Sequence, residues 1–116
     1  SSTNGAYSSV SDIRLKKNIN PLTGMLGIVN KLQPVTYQLT HDSGSRLSYG
    51  LIAQDVEQVL PDIVSTINGD DGDGIQDLKT VSYTELIPVL IKAMQEQQTI
   101  IEELQKKVED LSRRVN

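Results

Sequence analysis

The chain contains no cysteine, tryptophan or phenylalanine, and only one histidine, His41. Without cysteine there is no disulfide, no thiolate zinc site and no cysteine nucleophile. A single histidine excludes His-rich metal sites and the paired histidines of an HExxH helix, so neither a metal nor a cofactor is expected. No apolar run approaches the ~20 residues that span a bilayer. The N-terminal SSTNGAYSSV has no basic start and no apolar stretch, so it does not read as a signal peptide; a membrane partner is not expected. Basic residues are outnumbered too: 11 Lys and Arg against 15 Asp and Glu give a formal net charge of −4, the wrong sign for a general nucleic-acid binder. With four tyrosines as the only aromatics in 116 residues, the core must be built from Leu, Ile and Val. Small chains bury proportionally little surface, and self-association is therefore expected.

What is present divides the chain into residues 1–10, 11–83 and 84–116. Residues 1–10, rich in Ser, Thr, Asn and Gly, read as a tether or the end of an upstream region. In Ser11–Asn20 (SDIRLKKNIN), Ser-Asp is able to cap a helix carrying Ile13, Leu15 and Ile19, which Pro21 stops. Met25–Leu32 has the three- and four-residue apolar spacing of a short helix ahead of Pro34. Val35–Thr40 and Leu47–Ile52 read as strands around the turn His41–Arg46, a candidate hairpin. Ala53–Val59 reads as a helix with Val56, Val59 and Leu60 on one face, stopped by Pro61. Ile63–Ile67 and Leu78–Tyr83 read as two further strands, separated by a Gly- and Asp-rich loop. The fold class is thus α+β: a small globular part of mixed helix and antiparallel strand, followed by a long C-terminal helix.

That helix is the clearest feature. From Thr84 to Asn116 its only interruption is Pro88, which the pattern places in the first turn, where proline is tolerated. Ile87, Met94, Ile101, Val108 and Val115 fall at heptad position a, and Leu90, Gln97, Leu104 and Leu111 at d. A helix of thirty-odd residues is roughly 45–50 Å long, and a chain of this size has nothing with which to cover its distal half. The seam therefore predicts a coiled coil with sister chains. Ile or Val at a with Leu at d favours two strands, while Gln97 at d and Ile100 at g weaken that preference, so the seam alone leaves dimer and trimer open. Near the start of the helix, Leu86, Ile91 and Ala93 widen the stripe, so this half is expected to pack on the globular part. Glu102–Lys106 and Glu103–Lys107 are expected i,i+4 pairs.

Ser11 and Lys16 are the candidate chemical groups. A serine nucleophile needs a base, and a neutral lysine amine can serve. A lysine acting near neutral pH must be desolvated, because its ordinary pKa is about 10.4, and an interface between chains supplies that desolvation. Positions five apart on a straight helix diverge by about 140°, so Ser11 has to sit ahead of the helix for the two to meet. Residues alone leave the plainer alternative open, with Ser11 a cap and Lys16 a solvated charge. Asp12 and Arg14 either position this segment or pair on the surface. His41 reads as exposed. Asn68–Gly74 (NGDDGDG) fails the alternating ligand pattern of a calcium loop and reads as a solvated turn.

Three blocks, SDIRLKKNI at 11–19, YGLIAQDVEQVLPDIV at 49–64 and VSYTELIPVLIKAMQEQ at 81–97, resemble the C-terminal intramolecular chaperone domain of phage tailspikes, tail fibres and endosialidases. A membrane-tethered eukaryotic transcription factor carries the same auto-processing domain. The resemblance covers about residues 11–110. It implies a homotrimer, and so a three-stranded coiled coil, that guides folding of the upstream domain of its own polypeptide. It further implies that the domain then cuts itself off between Val10 and Ser11 through a serine–lysine pair matching Ser11 and Lys16. The setting implied is the precursor of a virion fibre or spike, assembled in the host cytoplasm, with the chaperone released after cleavage. For the oxyanion donor such a cut requires, Gln54 and a backbone N–H are equal candidates, and ordinary polarity at a helix start also accounts for Gln54. The alternative function is a trimerisation and capping module of a fibre with no catalysis.

Overall fold

The computed structural model describes residues 8–41, 44, 46–70, 72 and 74–115. Most of the candidate tether at 1–10, parts of the His41–Arg46 turn, and Asp71 and Asp73 of the acidic loop lie outside the described residues. A 3-10 turn at Ile13–Leu15 comes first, followed by α1 (Met25–Val29), β1 (Val35–Tyr37), β2 (Ser48–Gly50) and α2 (Ala53–Val59). A second 3-10 turn at Pro61–Ile63 leads into β3 (Val64–Asp70), β4 (Gln76–Val81) and α3 (Tyr83–Val115). The mixed α+β class, the antiparallel strands and the long C-terminal helix all match expectation.

The strands form two separate two-stranded sheets. β1 and β2 pair antiparallel with Thr36 opposite Tyr49. β3 and β4 pair from Val64–Val81 outward, and the register slips between Ile67 and Asp70. Gly69, with φ +93, sits in that slip, a backbone conformation glycine adopts without steric cost. Two-stranded hairpins are marginal alone, and both here lean on helices. Met25, Val89 and Ala93 form one buried cluster where α1 meets α3. Val56, Ile63 and Leu86 form a second, with Leu32, Leu51, Val64 and Val81 against it. Leu60 touches both clusters. Among the described residues these six are the whole fully buried core.

The start of α3 is tied to the first hairpin by one side chain. The Tyr83 hydroxyl accepts from the Leu51 N–H at 2.9 Å and faces the Leu51 carbonyl at 3.4 Å. Gly50 makes room for it: a Cβ there would lie 2.8 Å from the Tyr83 hydroxyl and 3.1 Å from the Tyr37 ring. Gly50→Ala is therefore expected to displace Tyr83 and to cost about 1–3 kcal/mol. A thermal melt checks this; several degrees of lowered Tm are expected, and an unchanged Tm would contradict the close packing.

Four expectations need correction. Ser11–Asn20 is not a helix but a single 3-10 turn with no buried residue, capped by Asp12 and not by Ser11. Its apolar side chains are exposed among the described residues, and Asn18, at φ 54, turns the chain out of helical geometry. Pro88 lies in the second turn of α3, so it has no N–H to offer the Thr84 carbonyl; the packing of Leu86, Val89 and Ala93 around it offsets that loss. Of the residues that widen the stripe, Leu86 and Ala93 are buried as expected, but Ile91 is 53% exposed and Val89 takes its place. The ion pairs of the distal helix are Glu109–Arg113 and Asp110–Arg114, later than expected.

The molecule is elongated, 70 × 41 × 31 Å, with a radius of gyration of 20.3 Å, against about 13 Å for a compact domain of this length. α3 causes this. From Gln97 to Val115 every residue is exposed, and no helix among the described residues is long and apolar enough to cross a membrane.

Candidate functional site

Ser11 and Lys16 meet. The Lys16 Nζ lies 2.7 Å from the Ser11 Oγ and donates to it. The 3-10 turn between them makes this possible. Two i→i+3 bonds, Leu15 N–H to the Asp12 carbonyl and Lys16 N–H to the Ile13 carbonyl, both 3.1 Å, close one turn. Asp12 before it and Lys16 after it are extended. Ser11 thus precedes the turn and Lys16 follows it, and a five-residue offset that a straight helix would splay apart is folded back on itself.

Asp12 and Arg14 hold the turn in shape. Asp12 Oδ1 accepts from the Arg14 N–H at 2.9 Å, and the guanidinium grips the same carboxylate, with Nη2–Oδ2 at 2.7 Å. The Arg14 side chain first, then its backbone N–H, hold the Asp12 carboxyl below the ordinary aspartate range. The pair is exposed, so its energetic weight is small; its effect is geometric.

The hydroxyl and amine are in contact with the proton on the wrong side for attack. A charged ammonium donates to Oγ; a base must accept from it. Transfer needs no movement of heavy atoms, only an amine that has lost its charge. Both side chains are exposed in the single protomer. Gln54, at the start of α2, is exposed and lines a cleft of about 330 Å³ with Tyr37, Leu78, Lys79 and Tyr83; neither Ser11 nor Lys16 borders that cleft. His41 is exposed at the first turn. Among the described residues no cluster of His, Asp and Glu is placed to hold a metal ion.

One residue escaped sequence reasoning. Glu96 of α3 reaches back across 70-odd positions: its Oε2 accepts from the Gly24 N–H at 2.7 Å and its Oε1 from the Leu26 N–H at 2.8 Å. Gly24, at φ 68, begins α1 and has no side chain to cap it; Glu96 supplies the cap from another element. The Leu26 N–H holds the Glu96 carboxyl below the ordinary glutamate range, joined by the Gly24 and Met25 amides and the Lys92 charge and opposed by desolvation. A lowered folded pKa contributes stability that is present above the unfolded value, about 4.3, and is lost as pH falls through the folded one. Wild type is therefore expected to lose more Tm than Glu96→Gln between neutral pH and about pH 3; parallel losses would contradict this bonding.

Residues 11–65, opening on Ser11 itself, match the sequence profile of a peptidase family described as chaperone of endosialidase. Curated relatives extend the similarity beyond that segment. The long tail fiber protein Gp37 of Salmonella phage S16 is 33% identical over 107 residues, and that of Enterobacteria phage Ox2 is 38% identical over 109. Each alignment takes in 87% of this chain but only 14% and 42% of the respective relative, so the chain spans less than half the length of the curated relatives it matches. A crystal structure of a novel intramolecular chaperon shares the fold, with a TM-score of 0.56 over 77% of this chain and 98% of that one, at 19% identity.

Proposed function

We propose that this chain is an intramolecular chaperone of a phage fibre protein, which trimerises, assists folding of the region ahead of it, and then severs itself between Val10 and Ser11. The observation that carries the reading is the 2.7 Å contact between Ser11 Oγ and Lys16 Nζ at the residue where the family match begins. The tail-fibre relatives support the setting of a virion precursor, and the shared fold with an intramolecular chaperon supports the folding role. In this reading residues 1–10 end the client region, residues 11–83 form the globular part and residues 84–116 the stalk. Assembly takes place in the host cytoplasm, and the chaperone leaves after the cut.

The chemistry is an acyl transfer. Ser11 Oγ attacks the Val10 carbonyl carbon, its own upstream neighbour, as Lys16 removes the hydroxyl proton. A C–O bond forms, the Val10–Ser11 C–N bond breaks, and Lys16 returns the proton to the departing amine, the new N-terminus. Water then hydrolyses the ester to leave a Val10 carboxylate and a free Ser11 hydroxyl. The groups are tethered five residues apart, so proximity supplies much of the rate, and one turnover suffices.

Assembly is the trigger. The heptad residues of α3 are exposed in one chain, Met94 at 72% and Val108 at 64%, and most helical stability in proteins comes from packing such an apolar face. Three chains joined along that seam bury it, as in the homotrimer that the family resemblance implies. They also place sister chains beside the exposed Ser11–Lys16 turn, where exclusion of water favours the neutral amine.

The test is intact mass and N-terminal sequencing of the assembled protein over time. A new terminus reading SDIRLK is expected. A stable trimer of whole chains would instead favour the alternative, a trimerisation and capping module without catalysis.

A further inference from the structure

The segment that carries the Ser11–Lys16 pair is held by very little. Among the described residues, every hydrogen bond of Ser11–Asn20 stays inside that segment. Its apolar side chains find no cover either: Ile13 is 72% exposed, Leu15 76% and Ile19 62%. The arm is therefore free in its own protomer up to the point where the chain enters α1. At that point sits Glu96, whose two oxygens take one N–H each from Gly24 and Leu26. Glu96 is on α3 between Ala93, buried under α1, and Gln97, which occupies the seam.

We infer that Glu96 is a positioning residue for self-cleavage, hooking the root of the cleavage arm to the stalk so that zipping of three stalks fixes where each Ser11–Lys16 pair is delivered. The inference rests on the proposed cleavage by that pair. Glu96 touches neither the scissile bond nor the pair; it acts through the exit point of the arm. Apolar packing of α1 on α3 survives without it, because Met25, Val89 and Ala93 form their cluster independently of the carboxylate. What the carboxylate adds is direction. Two bonds from two different oxygens fix the point and the angle at which residues 11–23 leave the stalk, and so narrow the volume that the arm searches before its pair docks on a sister chain. Glutamine cannot replace it, since one of its two ends is an NH2 that meets a backbone N–H donor to donor.

The experiment compares wild type with Glu96→Gln, and with Glu103→Gln on an exposed part of α3 as control. Chains purified whole in denaturant are refolded, and the same sample is followed by native mass for trimer and by intact mass for scission. In Glu96→Gln the trimer is expected to form with a modestly lowered Tm at neutral pH, while scission within trimers slows by about tenfold to a hundredfold. The Gly24 and Leu26 amide proton resonances should move upfield as their carboxylate acceptor is lost, a signature that a general loss of stability does not give. Glu103→Gln should cleave as wild type does. Glu96→Gln trimers cleaving at the wild-type rate would overturn the inference, as would loss of scission only in step with loss of the trimer. If wild type itself stays whole, the Ser11–Lys16 reading falls and takes this one with it.

Discussion

Ser11→Ala, Lys16→Ala and Lys16→Arg are each expected to leave the Val10–Ser11 bond whole in protein that still trimerises. The three variants remove different things. Alanine at 11 removes the hydroxyl in contact with the lysine amine at 2.7 Å, and no acyl transfer can begin. Alanine at 16 leaves the hydroxyl without a base. Arginine at 16 keeps the positive charge and the reach but does not deprotonate at accessible pH, so it separates the proton-transfer role from simple electrostatics. Losses of at least about a thousandfold are expected, the scale seen when one member of a nucleophile–base pair is removed. Lys17, the neighbouring lysine, makes no hydrogen bond to Ser11, and Lys17→Ala should cleave normally. Mass spectrometry over hours decides the matter. Lys16→Arg cleaving at the wild-type rate, or Lys17→Ala failing to cleave, would remove the assignment.

The second large effect concerns the stalk. Leu104→Asp places a carboxylate at a seam position that is 53% exposed in one chain and enclosed when three chains meet. An unpaired buried charge costs on the order of several kcal/mol, and here three copies share one layer. Association should weaken by roughly a thousandfold or more, so that at ordinary working concentrations the solution mass is that of one chain. Scission should vanish with it, although Ser11 and Lys16 are untouched. Glu102→Ala, at the exposed rim of the same turn, should change neither. Rapid scission in a monomeric Leu104→Asp protein would separate cleavage from assembly.

The sequence was most legible where local and tertiary signals agree. α2 begins and ends at the residues expected, Ala53 and Val59, because Val56 faces the core and Pro61 enforces the stop. α3 differs by one residue at its start, since a 33-residue apolar periodicity leaves little choice. The strands were found but lengthened or shortened at their ends, as hairpins with few buried residues allow. Ser11–Asn20 was misread because Ile13, Leu15 and Ile19 looked like one helical face, when no element among the described residues buries them. The same misreading left the meeting of Ser11 and Lys16 conditional on geometry that one 3-10 turn supplies. Glu96 had no local signal at all. A glutamate on the outer face of a heptad helix reads as solvated, and its partners are backbone amides 70 and 72 positions away. Only Gly24, a left-handed start to a short helix with no capping side chain, hinted that a cap had to come from elsewhere.

The amine beside Ser11 has to shed its proton, and the single chain leaves it in water; company from sister chains is what the proposed function requires. The decisive measurement is therefore the rate of Val10–Ser11 scission as a function of protein concentration, with oligomeric mass recorded on the same samples. Scission is expected to follow the trimer fraction and to be independent of concentration once the trimer is complete. Scission that proceeds at full rate in samples containing only single chains would contradict it.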